Sequence, residues 1–253
     1  MSDFKTISLA FAGHTARLRL NLPPQNVITF LMMDELRAAI ELVEQQPVVS
    51  VIISGSETAF SSGVDVAAHT PDKVEEMLRL FHSVIRSVAT CKKITIAAVQ
   101  GNCLGGGAEL AMVCDIVFTS PHARWGFPEI KLGCFPPVAC AGLAAVVGPK
   151  HAADLIFTGR QIDGSEAAAI GLANEALDTC EERSEEFART FADLSPVALE
   201  ITKRAFYSWD AFHFDKGLAK AEKVYLEELM KTEDAKEGIS AFMQKRQPKW
   251  SGR

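Results

Sequence analysis

Two glutamates and two glycine turns carry the residues in this chain best suited to chemistry. The first turn is Gly105-Gly106-Gly107-Ala108-Glu109-Leu110. The apolar, β-branched run Ile94-Thr95-Ile96-Ala97-Ala98-Val99 before it reads as a buried strand, and Ala108 to Cys114 after it as a buried helix. Glycines at such a turn let a ligand approach the backbone closely and leave N–H groups free at a helix N-terminus, where negative charge is favoured. A second glycine turn, Phe60-Ser61-Ser62-Gly63-Val64-Asp65, follows another predicted strand. Two neighbouring strand ends can aim two N–H groups at one carbonyl oxygen as it gains charge, each donor contributing roughly 10²–10³ in rate. Glu109, and Glu129 further along, would then serve as base and acid around a water.

The same residues fail the tests for other chemistry. As a dinucleotide fingerprint, Gly105-x-Gly107 lacks its third glycine, because Leu110 stands there, and Ser120-Pro121-His122 supplies no acid after the next strand. There is no phosphate-loop G-x-x-x-x-G-K, no H-E-x-x-H and no G-x-S-x-G. The six histidines lack metal-ligand spacing, so no metal is expected. The six cysteines, at 91, 103, 114, 134, 140 and 180, form no C-x-x-C and mostly sit in apolar runs. They read as buried thiols of a reducing compartment. A formal net charge of -6 argues against a nucleic-acid partner. No apolar run reaches the roughly 18 residues of a membrane span, and Met1-Ser2-Asp3-Phe4-Lys5 carries neither an apolar signal core nor an Arg-rich transit pattern. The expectation is a cytoplasmic protein with no membrane or nucleic-acid partner.

The elements that must position these residues follow from periodicity. Thr6 to Phe11 and Ala16 to Leu22 alternate around Gly13-His14 as a hairpin. Met32, Leu36, Ala39, Ile40 and Val43 mark an amphipathic helix, and Val48 to Ile53 a buried strand. Gly55 to His69 reads as a loop, with Thr70 capping the next helix and Pro71 at its first position. The stripe Val74, Met77, Leu78, Phe81, Val84, Ile85 and Val88 is core. Ile116 to Thr119 is a short strand. His122 to Val138, with Trp125, Phe127, Pro128, Phe135, Pro136 and Pro137, reads as a rigid loop. Beyond about Gly148 the chain turns mostly helical, with Gly171 as a helix stop and Ser195-Pro196 as a cap and first residue. Phe214, Leu218, Ala221, Tyr225 and Leu229 keep helical spacing, as core or as a subunit contact. Strands followed by helices, then a helical tail, predict an α/β fold within 253 residues.

Singly, each site residue has a plainer role: turn glycines pack, a first-turn glutamate complements a dipole, a glutamate after proline is solvated. Together and in order they form a pattern. Leu20-Asn21-Leu22-Pro23, Ala59 to Val66, Gly101 to Leu110, Trp125 to Gly133, Glu237 to Phe242 and Lys245 to Pro248 resemble successive motifs of the crotonase (enoyl-CoA hydratase/isomerase) superfamily. The resemblance spans nearly the whole chain. It implies a crotonase-like spiral of ββα repeats, with residues 1–194 as catalytic core and 195–253 as a helical oligomerisation region.

Carried over residue by residue, the resemblance implies that Val64 and Gly106 donate the oxyanion-hole N–H groups. Asp65, Val66 and Ala67 would line the acyl-CoA site through their backbone, beside Gly105. Glu109 would activate water and Glu129 would protonate the α-carbon, a pair that favours a hydratase over an isomerase. Phe135-Pro136-Pro137-Val138-Ala139 replaces a glycine-rich stretch common in hydratases, and in this the chain looks like the cyclohexa-1,5-dienecarbonyl-CoA hydratases of anaerobic benzoyl-CoA breakdown. Trp125, Phe127 and Phe135 read first as core packing and second as a rigid wall for a planar ring. The expectation is thus a hydro-lyase on a cyclic or short enoyl-CoA, without a cofactor because coenzyme A is part of the substrate, assembled as a homotrimer or homohexamer. A double-bond isomerase, a thioester hydrolase, a general short-chain enoyl-CoA hydratase and a catalytically silent acyl-CoA-binding subunit remain alternatives.

Overall fold

A computed structural model describes residues 4–252, apart from the side chains at 208–213. Met1, Ser2 and Asp3, part of the N-terminal reading, lie outside the described residues. The N-terminal alternation closes as β1 (Ile7–Ala12) and β2 (Thr15–Leu20), antiparallel across Gly13, whose φ of 58° suits a glycine turn. Next, α1 (Phe30–Gln45) starts where Thr29 Oγ1 accepts from the Met32 N–H, and it buries Met32, Leu36, Ala39, Ile40 and Val43.

Three strand–strand–helix turns then repeat. The first is β3 (Ser50–Ser54), β4 (Ala59–Ser61) and α2 (Val74–Ala89). The second is β5 (Ile94–Val99), β6 (Asn102–Leu104) and α3 (Gly106–Met112). The third is β7 (Ile116–Thr119), β8 (Arg124–Gly126), a 3-10 turn over Pro128–Leu132, and α4 (Pro137–Thr158). After them come β9 (Gln161–Asp163), α5 (Gly164–Ala169), β10 (Glu175–Ala176), α6 (Cys180–Arg189), α7 (Pro196–Phe206), α8 (Ser208–Glu227) and α9 (Glu233–Met243).

The first strand of each turn joins a six-stranded sheet, β1-β2-β3-β5-β7-β10, and the second strand a four-stranded sheet, β4-β6-β8-β9. The chain therefore spirals, as the α/β expectation of ββα repeats required. Register across the small sheet is the fact that matters for function. Ser61 lies opposite Cys103, and Cys103 opposite Trp125, all in parallel strands. The segments leaving these three strands, Ser62–Val64, Gly105–Gly106 and Phe127–Glu129, emerge side by side. Behind them the α2 stripe is buried from Val74 to Val88, each large side chain contributing about 1.5–3 kcal/mol when fully buried.

The structure corrects several local expectations. The loop at 55–69 contains β4 and a 3-10 turn over Val66–His69. The helix expected from Thr70 begins at Val74, because the Thr70 carbonyl accepts from both Lys73 and Val74 N–H and closes a separate turn first. The segment at 122–138 is not a bare loop: it holds β8 and a 3-10 turn, and Pro137 opens α4. A proline fits a first helical position, where its missing N–H has no acceptor to lose. The helical region past Gly148 also contains β9 and β10, too short to show a period. Cys140 is exposed, whereas the other five cysteines are buried, and none is paired. By length and apolar composition α4 suits a membrane. However, Gly148 (φ 78°) breaks it, and its Val138, Ala139, Leu143 and Val147 are buried in the chain's own core. Gly171 does end a helix, at φ 84°, and Ser195 Oγ caps α7 at Ala198 N–H with Pro196 first.

Candidate active site

The site begins with two backbone N–H groups. Ile28 bridges to Val64 in parallel fashion: Ile28 N–H donates to Gly63 O (2.9 Å) and Asp65 N–H to Ile28 O (3.2 Å). Such a bridge uses the residues on either side of Val64 and leaves its own N–H pointing the other way. Gly106 opens α3, where N–H groups lack intrahelical acceptors. Neither N–H donates to any acceptor among the described residues. The two turns touch: a methyl group added at Gly63 (φ 96°) would lie 2.8 Å from Leu104 O and 3.3 Å from the Gly106 nitrogen. One added at Gly106 would lie 2.8 Å from Val64 Cγ2.

Glu109, in the first turn of α3, is buried. Its Oε1 accepts from Val138 N–H (2.9 Å) and Ala139 N–H (3.0 Å), the first free amides of α4. Pro136 and Pro137 have no capping side chain to give, so Glu109 caps that helix from outside. Only Oε1 is engaged. Burial raises the proton affinity of Glu109, while the two amides pull it back.

Glu129 follows β8 as the second residue of its 3-10 turn. Its Oε1 lies 2.7 Å from where a Gly105 methyl would sit, so glycine at 105, with φ 51° and ψ -127°, makes room for the carboxyl. Its Oε2 is buried without a partner. Burial first, and the charge of Glu109 second, raise the pKa of Glu129 well above the ordinary carboxylate range. The two carboxyls are like charges buried against one cavity. Glu109, with two N–H donors, is the better home for the negative charge, and Glu129 for the proton.

Both carboxyls, Val64, Gly105 and Gly106 line one cavity of about 450 Å³. Its inner wall carries Met77, Leu78, Phe81, Phe135, Pro137 and Tyr225. Phe135 meets Tyr225 edge-on, 5.1 Å between centroids. Lys131 and Arg246 also border it. Four buried side-chain polar atoms among the described residues have no partner, and three belong to this lining: Glu129 Oε2, His82 Nε2 and the Tyr225 hydroxyl.

Of the expected site residues, the structure brings Val64, Val66, Gly105, Gly106, Glu109, Glu129 and Phe135 together. It does not bring Asp65 and Ala67 to the lining. Asp65 Oδ1 caps the 3-10 turn at Ala67 N–H (3.0 Å), which spends that donor. Trp125 and Phe127 are fully buried in the core, as their first reading had it, with Trp125 Nε1 donating to Thr119 Oγ1 (3.0 Å), and neither walls the cavity. His69 lines the cavity, its Nδ1 3.1 Å from Asp65 O, and His122 is exposed. His82, Tyr225 and Arg246 escaped the sequence reading as site residues. Tyr225 had only membership of a helical stripe and Arg246 of a C-terminal motif, and His82 had no signal of its own.

Comparison with known proteins adds the lineage. A family model described as enoyl-CoA hydratase/isomerase matches residues 11–253. The cyclohexa-1,5-dienecarbonyl-CoA hydratase of Thauera aromatica is 35% identical over 243 residues, covering 95% of this chain and 94% of that protein. A probable enoyl-CoA hydratase of Bacillus subtilis (strain 168) is 35% identical over 255 residues, covering 97% and 98%. Among solved structures, an enoyl-CoA hydratase/isomerase from Xanthobacter autotrophicus Py2 superposes with a TM-score of 0.88 at 29% identity, covering 95% of this chain and 94% of that one.

Proposed function

The chain belongs to the enoyl-CoA hydratase/isomerase family, as an enzyme of hydro-lyase type, and from that premise we propose that it adds water to cyclohexa-1,5-diene-1-carbonyl-CoA. The observation that carries the hydration reading is two unspent N–H groups, of Val64 and Gly106, opening on the same cavity as two buried carboxyls. In this reading the thioester oxygen sits on the two N–H groups. Glu109 takes a proton from water as its oxygen bonds to the β-carbon. The displaced electron pair moves onto the thioester oxygen, where the N–H donors hold it. Glu129, kept protonated by burial and by Glu109, gives its proton to carbon.

The ring changes one detail. Water adds at the β-carbon, the charge spreads through the second double bond, and the product is a 6-hydroxycyclohexene-carbonyl-CoA only if the proton arrives at the far carbon of the diene. Support for a ring comes from the Phe135–Tyr225 wall and from the Thauera aromatica relative named for that reaction. The test is kcat/KM for the cyclic dienoyl-CoA against crotonyl-CoA. A tenfold preference for crotonyl-CoA, about 1.4 kcal/mol in transition-state binding, refutes the ring and leaves a general hydratase.

The homotrimer or homohexamer is part of the same proposal. Exposed Leu194, Val197, Ile201 and Phe206 at and just before α7 offer an apolar face for it. Light scattering that finds a monomer at micromolar concentration refutes it.

A further inference from the structure

The chemistry just described leaves two buried polar atoms of the cavity unused, His82 Nε2 and the Tyr225 hydroxyl. They come from opposite elements, α2 and α8, and are tied together. His82 Nδ1 lies 2.5 Å from Glu222 Oε1. Glu222 and Tyr225 sit three residues apart on α8, hence on one face of it. This link fixes the face of α8 that carries Tyr225. The Tyr225 ring is 1% exposed and held edge-on by Phe135. Its polar neighbour is the Cys134 thiol, whose S–H goes to Leu132 O at 3.6 Å and whose sulfur is at best a weak acceptor for the phenol.

The tyrosine is therefore fixed in place with no nitrogen or oxygen partner for its hydroxyl. In the same cavity Glu129 Oε2 is also unsatisfied. One small oxygen between them would serve both. An enoyl-CoA brings no oxygen to that part of the acyl group, but the water that adds to it does, and the product keeps that oxygen as a hydroxyl.

We propose that the Tyr225 hydroxyl is a third ligand of the reacting oxygen, holding the water before addition and the product hydroxyl after it. The assignment rests on the hydration reading. Tyr225 gives and takes no proton in the step: water loses its proton to Glu109, the new C–O bond uses the water lone pair, and the new C–H bond uses the proton of Glu129. Burial, with Cys134 and both glutamates nearby, holds the phenol pKa well above its ordinary value, so the group stays a hydrogen-bond donor.

The variant is Tyr225→Phe in the full chain, which keeps the ring against Phe135 and removes one oxygen. With the better of crotonyl-CoA and the cyclic dienoyl-CoA as substrate, kcat is expected to fall about tenfold or more while KM stays within about twofold. Binding is compared without turnover in a Glu109→Gln background by calorimetry. There Tyr225→Phe should cut the preference for 3-hydroxybutyryl-CoA over butyryl-CoA about tenfold, or ~1.4 kcal/mol. Unchanged kcat with an unchanged preference overturns the assignment. So does an equal loss of affinity for both ligands, which marks packing alone. A wild-type protein that hydrates neither enoyl-CoA overturns the hydration reading, and this assignment with it; an active wild type with an unaltered Tyr225→Phe overturns the assignment only.

Discussion

Substituting Gly105→Ala tests the position of Glu129 without touching its chemistry. The new methyl would lie 2.7 Å from Glu129 Oε1, against an ordinary C···O contact of about 3.4 Å. The carboxyl must retreat by roughly 0.7 Å, and a misplacement on the order of 1 Å at a reacting group costs about 10² in rate. Alanine must also adopt φ 51°, ψ -127°, at about 1–3 kcal/mol of backbone strain. In a chain of this size that lowers the melting temperature by about 2–4 °C per kcal/mol. The expected result is a folded, somewhat less stable protein with kcat reduced about a hundredfold. The same change made on Glu129→Gln should add little further loss, because both act through one carboxyl. Steady-state hydration assays on the single and double variants decide it. If Gly105→Ala keeps most of its activity, or if the two losses simply multiply, the placement of Glu129 by Gly105 is not what sets the rate.

Three further outcomes follow from the same geometry. Glu109→Gln should lower kcat by roughly 10²–10⁴ with a melting temperature near wild type, because the amide oxygen can still accept from Val138 and Ala139 N–H; strong unfolding would mean the charge is needed as a cap. Val64→Ala keeps its N–H and should turn over normally, whereas Gly106→Pro should be inactive even when combined with Val64→Ala, which clears the side chain 2.8 Å from the new Cβ; a damaging Val64→Ala would shift the role from the N–H to the side chain. Both glutamates have raised pKa values in the fold, so between the ordinary carboxylate range and those raised values the native state holds more protons than the unfolded one. Stability should therefore fall as pH rises through that window, by up to about 1.4 kcal/mol per pH unit for each excess proton, and denaturant titrations should show a shallower fall in Glu129→Gln.

The candidate site was legible because its parts are local. Each of Val64, Gly106 and Glu129 stands just beyond a strand end, marked by glycine or proline within a few residues. The larger elements were legible for the usual reason of period, as in the buried stripe of α2. The losses have physical causes too. Strands β4, β6 and β8 span three residues each, too few for alternation to show. Pro136 and Pro137 looked like loop because the group that caps their helix, Glu109, comes from a different element. Trp125 packs in the core, the first of its two readings, but its partner Thr119 in the neighbouring sheet could not be named from spacing. Tyr225 reached the cavity only through the packing of α8 on the core, which no spacing within α8 reveals.

The seat of Glu109 on α4 has a consequence for the catalytic cycle. In the hydration step proposed above this carboxylate would gain a proton, and the Val138 and Ala139 N–H groups would then face a neutral acid, a weaker acceptor than the anion. The end of a long helix is thus left less well satisfied at the moment the product forms. Returning the proton restores those bonds. In the proposed reaction the two N–H groups therefore favour return of Glu109 to the charged form in which it can meet the next water.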